Sequence, residues 1–193
     1  MKGIKPAGKT DPAIVREIFV RKLGIEPSEE QINEILEHYL RYLEEEVATS
    51  PGYQVLPGVY ELLEDLHSDP EILLGLATGN IKDGARIKLS HSDLWRFFRF
   101  GGFGSDSEAR EEIVRMAVQR GLELASFDPE ILLVVGDTPL DISAAHAAGV
   151  KALGVATGPY SVDELLDAGA DAAMPDLSDI SRFHQILNEL AKN

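Results

Sequence analysis

A chain of 193 residues with 44% hydrophobic and 26% charged side chains carries enough apolar mass for one domain core, or a core with a small appended lobe, and is no low-complexity polymer. Its net charge of −15, from 33 acidic against 18 basic residues, disfavours nonspecific contact with nucleic acid or anionic lipid, so a phosphate ligand must come with a cation. Cysteine is absent, which excludes disulfides, zinc-thiolate sites and thiol catalysis, and no apolar run is long enough to span a membrane. These features read as a soluble, cytoplasmic protein.

Residues 1–9, with three lysines, two glycines and a proline, read as a loose end. Thr10 as N-cap with Pro12 just inside opens a helix through Val15, Ile18, Phe19 and Leu23, and Gly24 closes it. Ser28 and Gln31 form a capping box for a second helix, whose stripe of Ile32, Ile35, Leu36, Tyr39, Leu40, Leu43 and Val47 keeps a helical period. Pro57 and Gly58 start a third helix, to about His67.

From Glu71 onward the pattern changes. Short apolar runs without polar alternation, as expected of parallel strands covered on both faces, predict strands over 72–77, 98–103, 131–135, 152–156 and 172–174. Helical stretches fall between and after them, over 82–89, 108–120, 141–148, 162–168 and 181–190. The alternation predicts a doubly wound α/β core over residues 55–193, preceded by a small helical lobe over 1–54.

Ligands of such a sheet bind beyond the carboxyl ends of its strands. The first run ends in Thr78-Gly79-Asn80, where a hydroxyl, a flexible glycine and backbone N–H groups at a helix start could hold a phosphate; the plainer reading is a capped strand-to-helix turn. The third ends in Gly136-Asp137-Thr138-Pro139-Leu140-Asp141, whose hard carboxylate oxygens suit Mg²⁺. A helix-capping role accounts for Asp141 but leaves Asp137 unexplained. The five histidines show no metal-ligand spacing, and the aromatic group Trp95, Phe97, Phe98, Phe100 and Phe103 reads as a helix end leading into a buried strand.

The segments VVGDTPLDISAAHAAGV, LATGN, ARIKLS and VLPGV resemble the haloacid dehalogenase-like phosphatases, with the nearest likeness to phosphoglycolate phosphatase-type members that carry a helical cap. The resemblance implies that Thr78, with Gly79 and Asn80, binds the transferring phosphoryl group, and that Asp137 and Asp141 are the acids of the Mg²⁺ site. The family lysine often lies in a KPxP segment, where this chain has Ser105-Asp106-Ser107-Glu108. Lys88 is then the candidate phosphate cation, with Arg110 second. Thr78, Lys88 and Asp137 make up the catalytic set.

The family's nucleophile is the first aspartate of a DxDxT motif after an N-terminal strand, and no DxD occurs here. Lys9-Thr10-Asp11-Pro12 follows no strand and is similar to the segment that lies inside the family's cap. The resemblance thus implies a haloacid dehalogenase-like sheet whose first, central strand is missing between the Thr78 and Asp137 strands, preceded by a partial cap. Two ladders would be left open, to be resolved by a longer chain, by direct pairing of the two strands, or by a strand from a partner, including self-association. The implied function is a Mg²⁺-dependent phosphomonoester hydrolase of small phosphorylated metabolites, inactive in the form given. The alternative is a noncatalytic phosphate- or partner-binding remnant; neither involves nucleic acid or membrane.

Overall fold

The computed structural model describes residue 4 and residues 8–192. Of the expected loose end, residues 1–3 and 5–7 lie outside the described residues. Ile4 is buried, and Thr10 is only 2% exposed, so this end is packed rather than loose where it is described.

Thr10 caps α1 (Asp11–Ile18), its hydroxyl accepting from the Ala13 N–H. A single π-helical turn, Phe19–Leu23, follows and ends on left-handed Gly24. A sequence period alone does not distinguish that turn from continued α-helix. The Ser28–Gln31 capping box opens α2 (Glu29–Thr49) as expected, and α3 spans Val59–Ser68. Val15, Ile32 and Leu36 form one apolar cluster with Ile81 of the α/β part, so the helical segment shares a core with the start of α4 (Lys82–His91).

The remaining elements alternate: β1 (Gly75–Thr78), α4, a 3₁₀ turn at Trp95–Phe97, β2 (Phe100–Phe103), α5 (Arg110–Leu124), β3 (Leu133–Gly136), α6 (Pro139–Ala147), β4 (Lys151–Val155), α7 (Val162–Asp167), β5 (Ala172–Met174) and α8 (Ile180–Leu190). Phe97 is fully buried and Phe103 nearly so, in keeping with a structural role for the aromatic group. All strand pairings are parallel, but they form two sheets, β1-β2 and β3-β4-β5, and among the described residues no ladder joins β1 to β3. Direct closure between those strands is therefore not the arrangement adopted. Strands β1 and β3 also start two to three residues later than their apolar runs; each finds a ladder partner on one side only.

Packing holds the two sheets in one body. Leu74 and Leu133 pack into the cluster of α3 and α8, built on Leu62, Leu66, Phe183 and Ile186. Ala77 and Val134 pack into the opposite cluster, built on Val114, Ile142 and Ala145. These alternating faces are what a strand period of two produces, with both sides of each strand covered by helices.

Asp171 fastens the β4-β5 edge. Its carboxylate accepts from the Ala152 N–H at 2.8 Å, from Lys151 Nζ at 3.0 Å, and meets His146 Nε2 at 3.0 Å. Burial pushes its pKa up, yet these three partners together outweigh burial and bring it down to about 2. A carboxyl depressed in the folded state stabilises the fold above its unfolded value, and that stability is lost as the pH falls from about 3.8 to about 2. Asp171→Ala is expected to cost about 1–2 kcal/mol at pH 7, lowering Tm by about 2–8 °C, with the difference from the parent shrinking across that acid window. Thermal melts of both proteins as a function of pH measure it.

Candidate functional site

Thr78, the last residue of β1, places its Oγ1 where the Asn80 N–H donates to it at 3.2 Å, closing the turn into α4. The Asn80 carbonyl accepts from Gly104 N–H at 2.8 Å, which continues the β1-β2 ladder past the strand ends and steadies the loop. Lys88, two turns along α4, returns its ammonium to Asn80 Oδ1 at 3.2 Å. Thr78, Gly79, Asn80 and Lys88 are thus brought to one place.

The second loop is held by a capping box. The Thr138 hydroxyl accepts from the Asp141 N–H at 3.3 Å, while Asp141 Oδ2 accepts from the Thr138 hydroxyl at 2.7 Å and its N–H at 3.1 Å. The other oxygen of Asp141 accepts from Arg110 Nε at 2.6 Å. Both oxygens of this nearly buried carboxylate are therefore engaged, and Arg110 is drawn to Asp141 rather than to the Thr78 loop. Asp137 differs. It sits at the end of a cleft of about 320 Å³ lined by Leu56, Pro57, Val59, Val135, Val155 and Leu177. Burial in these apolar walls raises its pKa first, and the Asp141 charge adds to that, against smaller opposing effects of its own N–H and of Arg110.

The two loops open on the same side. A Cβ on Gly8 would lie 2.7 Å from Leu140 Cδ1, and a Cβ on Gly79 would lie 2.5 Å from the carbonyl oxygen of Lys9. Adjacent residues thus touch both loops, and consecutive Cα atoms are only about 3.8 Å apart. Among the described residues no ladder joins the strands that carry these two loops, and Val135, on the Asp137 strand, is 42% exposed.

Two contributors escape the sequence reading. Gly158, in the loop after β4, lies so near Asp137 that a side chain there would strike the carboxylate. The signal was available, because Ala156-Thr157-Gly158 also follows a buried strand. Asp11, which sequence places in the cap, reaches the Thr78 loop: its N–H donates to the Gly79 carbonyl at 2.8 Å, and its carboxylate accepts from the Ile81 N–H at 2.8 Å and from Asn80 Nδ2 at 3.1 Å. No sequence spacing shows a contact across 69 residues. Ser105-Asp106-Ser107-Glu108 has structural partners instead, since Asp106 pairs with Arg120 and caps the end of β2, and Glu108 pairs with Arg16 of α1.

The sequence profile of the family described as Haloacid dehalogenase-like hydrolase matches residues 14–155. The chain belongs to this family. Among curated relatives of this haloacid dehalogenase-like chain, the Probable phosphatase IndB of Dickeya dadantii is 26% identical over 166 residues, 84% of this chain and 70% of that protein. The Phosphoglycolate phosphatase of Synechococcus elongatus is 25% identical over 182 residues, 92% of this chain and 81% of the relative. Among solved structures, a hydrolase from Pseudomonas syringae aligns with TM-score 0.67 at 24% identity, covering 96% of this chain and 80% of its own. A haloacid dehalogenase hydrolase from Entamoeba histolytica aligns with TM-score 0.69 at 20% identity, covering 97% and 81%. At these identities the two structures establish the fold. Among the described residues, no helix is long and apolar enough to cross a membrane.

An ionised Asp137 facing apolar walls costs folded-state stability. Its folded pKa lies above the ordinary 3.8, so the cost is full above the folded value and vanishes below 3.8. Asp137→Asn is therefore expected to raise Tm at pH 7 in the presence of a chelator, and to leave it unchanged near pH 3. A lower Tm at pH 7 would show that the carboxylate has a stabilising partner.

Proposed function

We propose that this chain is the phosphate-binding part of a Mg²⁺-dependent phosphomonoester hydrolase that acts on small phosphorylated metabolites in the cytoplasm. The observation that carries the reading is the convergence of Thr78, Gly79, Asn80 and Lys88 on one loop, facing the same edge as the carboxylate of Asp137, whose neighbouring cation, Arg110, is bonded to Asp141 instead.

In this reading the Thr78 hydroxyl and the loop N–H groups orient phosphoryl oxygens, and Lys88 offsets their charge. Asp137 fits a hard divalent cation because its oxygens are hard donors and the charged form that apolar walls and the Asp141 charge disfavour would be stabilised by a cation. Asp141 backs it by charge and by fixing the loop, and reaches the ion through water unless it releases Arg110. Bound there, Mg²⁺ would screen the phosphoryl oxygens. With one such carboxylate, binding is weak until phosphate adds ligands. In this reading the attacking carboxylate and the acid for the leaving group would come from a further strand that pairs between β1 and β3. The Synechococcus relative makes phosphoglycolate the first substrate to try.

The noncatalytic alternative draws on the commitment of Asp11 and Asp141 to other partners, which leaves no unengaged carboxylate of theirs at the loop. In that form the open ladders favour self-association. Calorimetric titration tests the shared site. Mg²⁺ alone is expected to bind no tighter than about 1 mM, and at least about tenfold tighter with inorganic phosphate present, an enhancement lost in Asp137→Ala. Micromolar Mg²⁺ affinity without phosphate, or an enhancement that survives Asp137→Ala, would overturn the site.

A further inference from the structure

The Asp11 contact is more than a strut between the helical segment and the sheet, because it decides which way the Asn80 amide points. A carboxylate only accepts hydrogen bonds and an ammonium only donates them. Asn80 lies between one of each: Nδ2 faces Asp11 at 3.1 Å and 3.3 Å to its two oxygens, and Oδ1 faces Lys88 Nζ at 3.2 Å. Both neighbours demand the same orientation. Were the amide reversed, carbonyl oxygen would meet carboxylate and amide hydrogens would meet ammonium.

Asp11 is itself fixed from several directions. Its N–H is bonded to the Gly79 carbonyl and its Oδ2 to the Ile81 N–H. The preceding Thr10 is almost wholly buried, and Lys9 lies against Gly79 so closely that no side chain fits there. On the far side, the Tyr53 hydroxyl donates to the Lys88 carbonyl and holds that turn of α4. The amide therefore joins two rigid points.

We infer that Asp11 is a positioning residue of the phosphate site, acting through the Asn80 amide to hold the Lys88 ammonium over the Thr78-Gly79-Asn80 loop. This rests on the phosphate-site reading given above. Asp11→Asn is the sharpest probe, since it keeps shape and the acceptor for Ile81 but turns a second pair of amide hydrogens toward Asn80. Asn80 is then driven to flip, and its Nδ2 repels Lys88.

The test has a ligand-free part and a ligand part, both by NMR on the full chain. Without ligand, Asp11→Asn is expected to shift the Asn80 side-chain amide signals and the Lys88 Hε signals, with most backbone amides unmoved. On titration with inorganic phosphate, Asp11→Asn and Lys88→Ala are each expected to weaken binding about tenfold, and the double variant no more than either alone. Unmoved Asn80 and Lys88 signals would overturn the inference, as would effects on phosphate affinity that multiply. If those signals move while phosphate fails to bind the parent chain, Asp11 holds Asn80 and Lys88 as inferred, and it is the phosphate reading that fails. Asp11→Ala, followed by melting temperature and the same signals, repeats the ligand-free part should Asp11→Asn not fold.

Discussion

Joining to this chain an upstream strand that ends in an Asp-x-Asp-x-Thr motif is expected to turn negligible hydrolysis of an aryl phosphate into Mg²⁺-dependent turnover, a gain on the order of 10³-fold or more. In the proposed reading the phosphate-orienting groups stand, among the described residues, without an unengaged carboxylate to attack. Asp141 is tied to Arg110 and Thr138, and Asp11 to Asn80 and Ile81, so neither is free to attack. The same strand should stabilise the fold. It would pair the open sides of β1 and β3 and cover Val135, and a net gain of about 3 kcal/mol would raise Tm by about 6–12 °C. Robust turnover by the 193-residue chain, lost in Asp137→Ala, would show that a carboxylate already present has taken over the attack.

Gly104→Ala is expected to damage stability and phosphate affinity together. A Cβ at this position would strike the Gly79 carbonyl oxygen and crowd Thr10 Cβ at 3.2 Å. The obstacle is backbone, which cannot swing aside as a side-chain end can. Either the β1-β2 ladder opens at the Asn80–Gly104 bond or the phosphate loop shifts. We expect a loss of about 2–4 kcal/mol, a Tm drop of about 4–16 °C and phosphate binding weakened at least about tenfold. Gly52→Ala is the control, because the nearest atom to its Cβ is Ser50 Oγ at 3.8 Å. Melts and phosphate titrations of the three proteins decide the matter; a Gly104→Ala chain with unaltered phosphate affinity would detach this glycine from the site.

Much of the architecture was legible because it is written in local signals. The Ser28–Gln31 capping box and the Gly24 stop fall where expected, and the unbroken apolar runs before Thr78 and Asp137 each correspond to a strand, begun two to three residues later. The sequence leaves open whether the Thr78 and Asp137 strands pair directly, and among the described residues they do not. The later strand starts were not legible, because apolar runs report burial whereas a ladder needs a neighbour. The residues of the Thr78 loop were found through their position after a strand. Lys88 could be nominated as a cation, but only the fold shows it beside Asn80 while Arg110 is taken by Asp141. Asp11 was read from sequence as a helix start within the cap. Its role depends on a contact across 69 residues, which no local pattern encodes.

The central claim is that the Thr78 loop and the Asp137 loop form one phosphate and metal site at a common edge of the two sheets. The most direct measurement is a crystal structure of the chain with tungstate and Mn²⁺, both located by anomalous scattering. We predict tungstate against Thr78, the Gly79 and Asn80 N–H groups and Lys88, with Mn²⁺ on Asp137 in contact with the same oxyanion. Tungstate bound elsewhere, or the two ions at opposite ends of the strands, would contradict it.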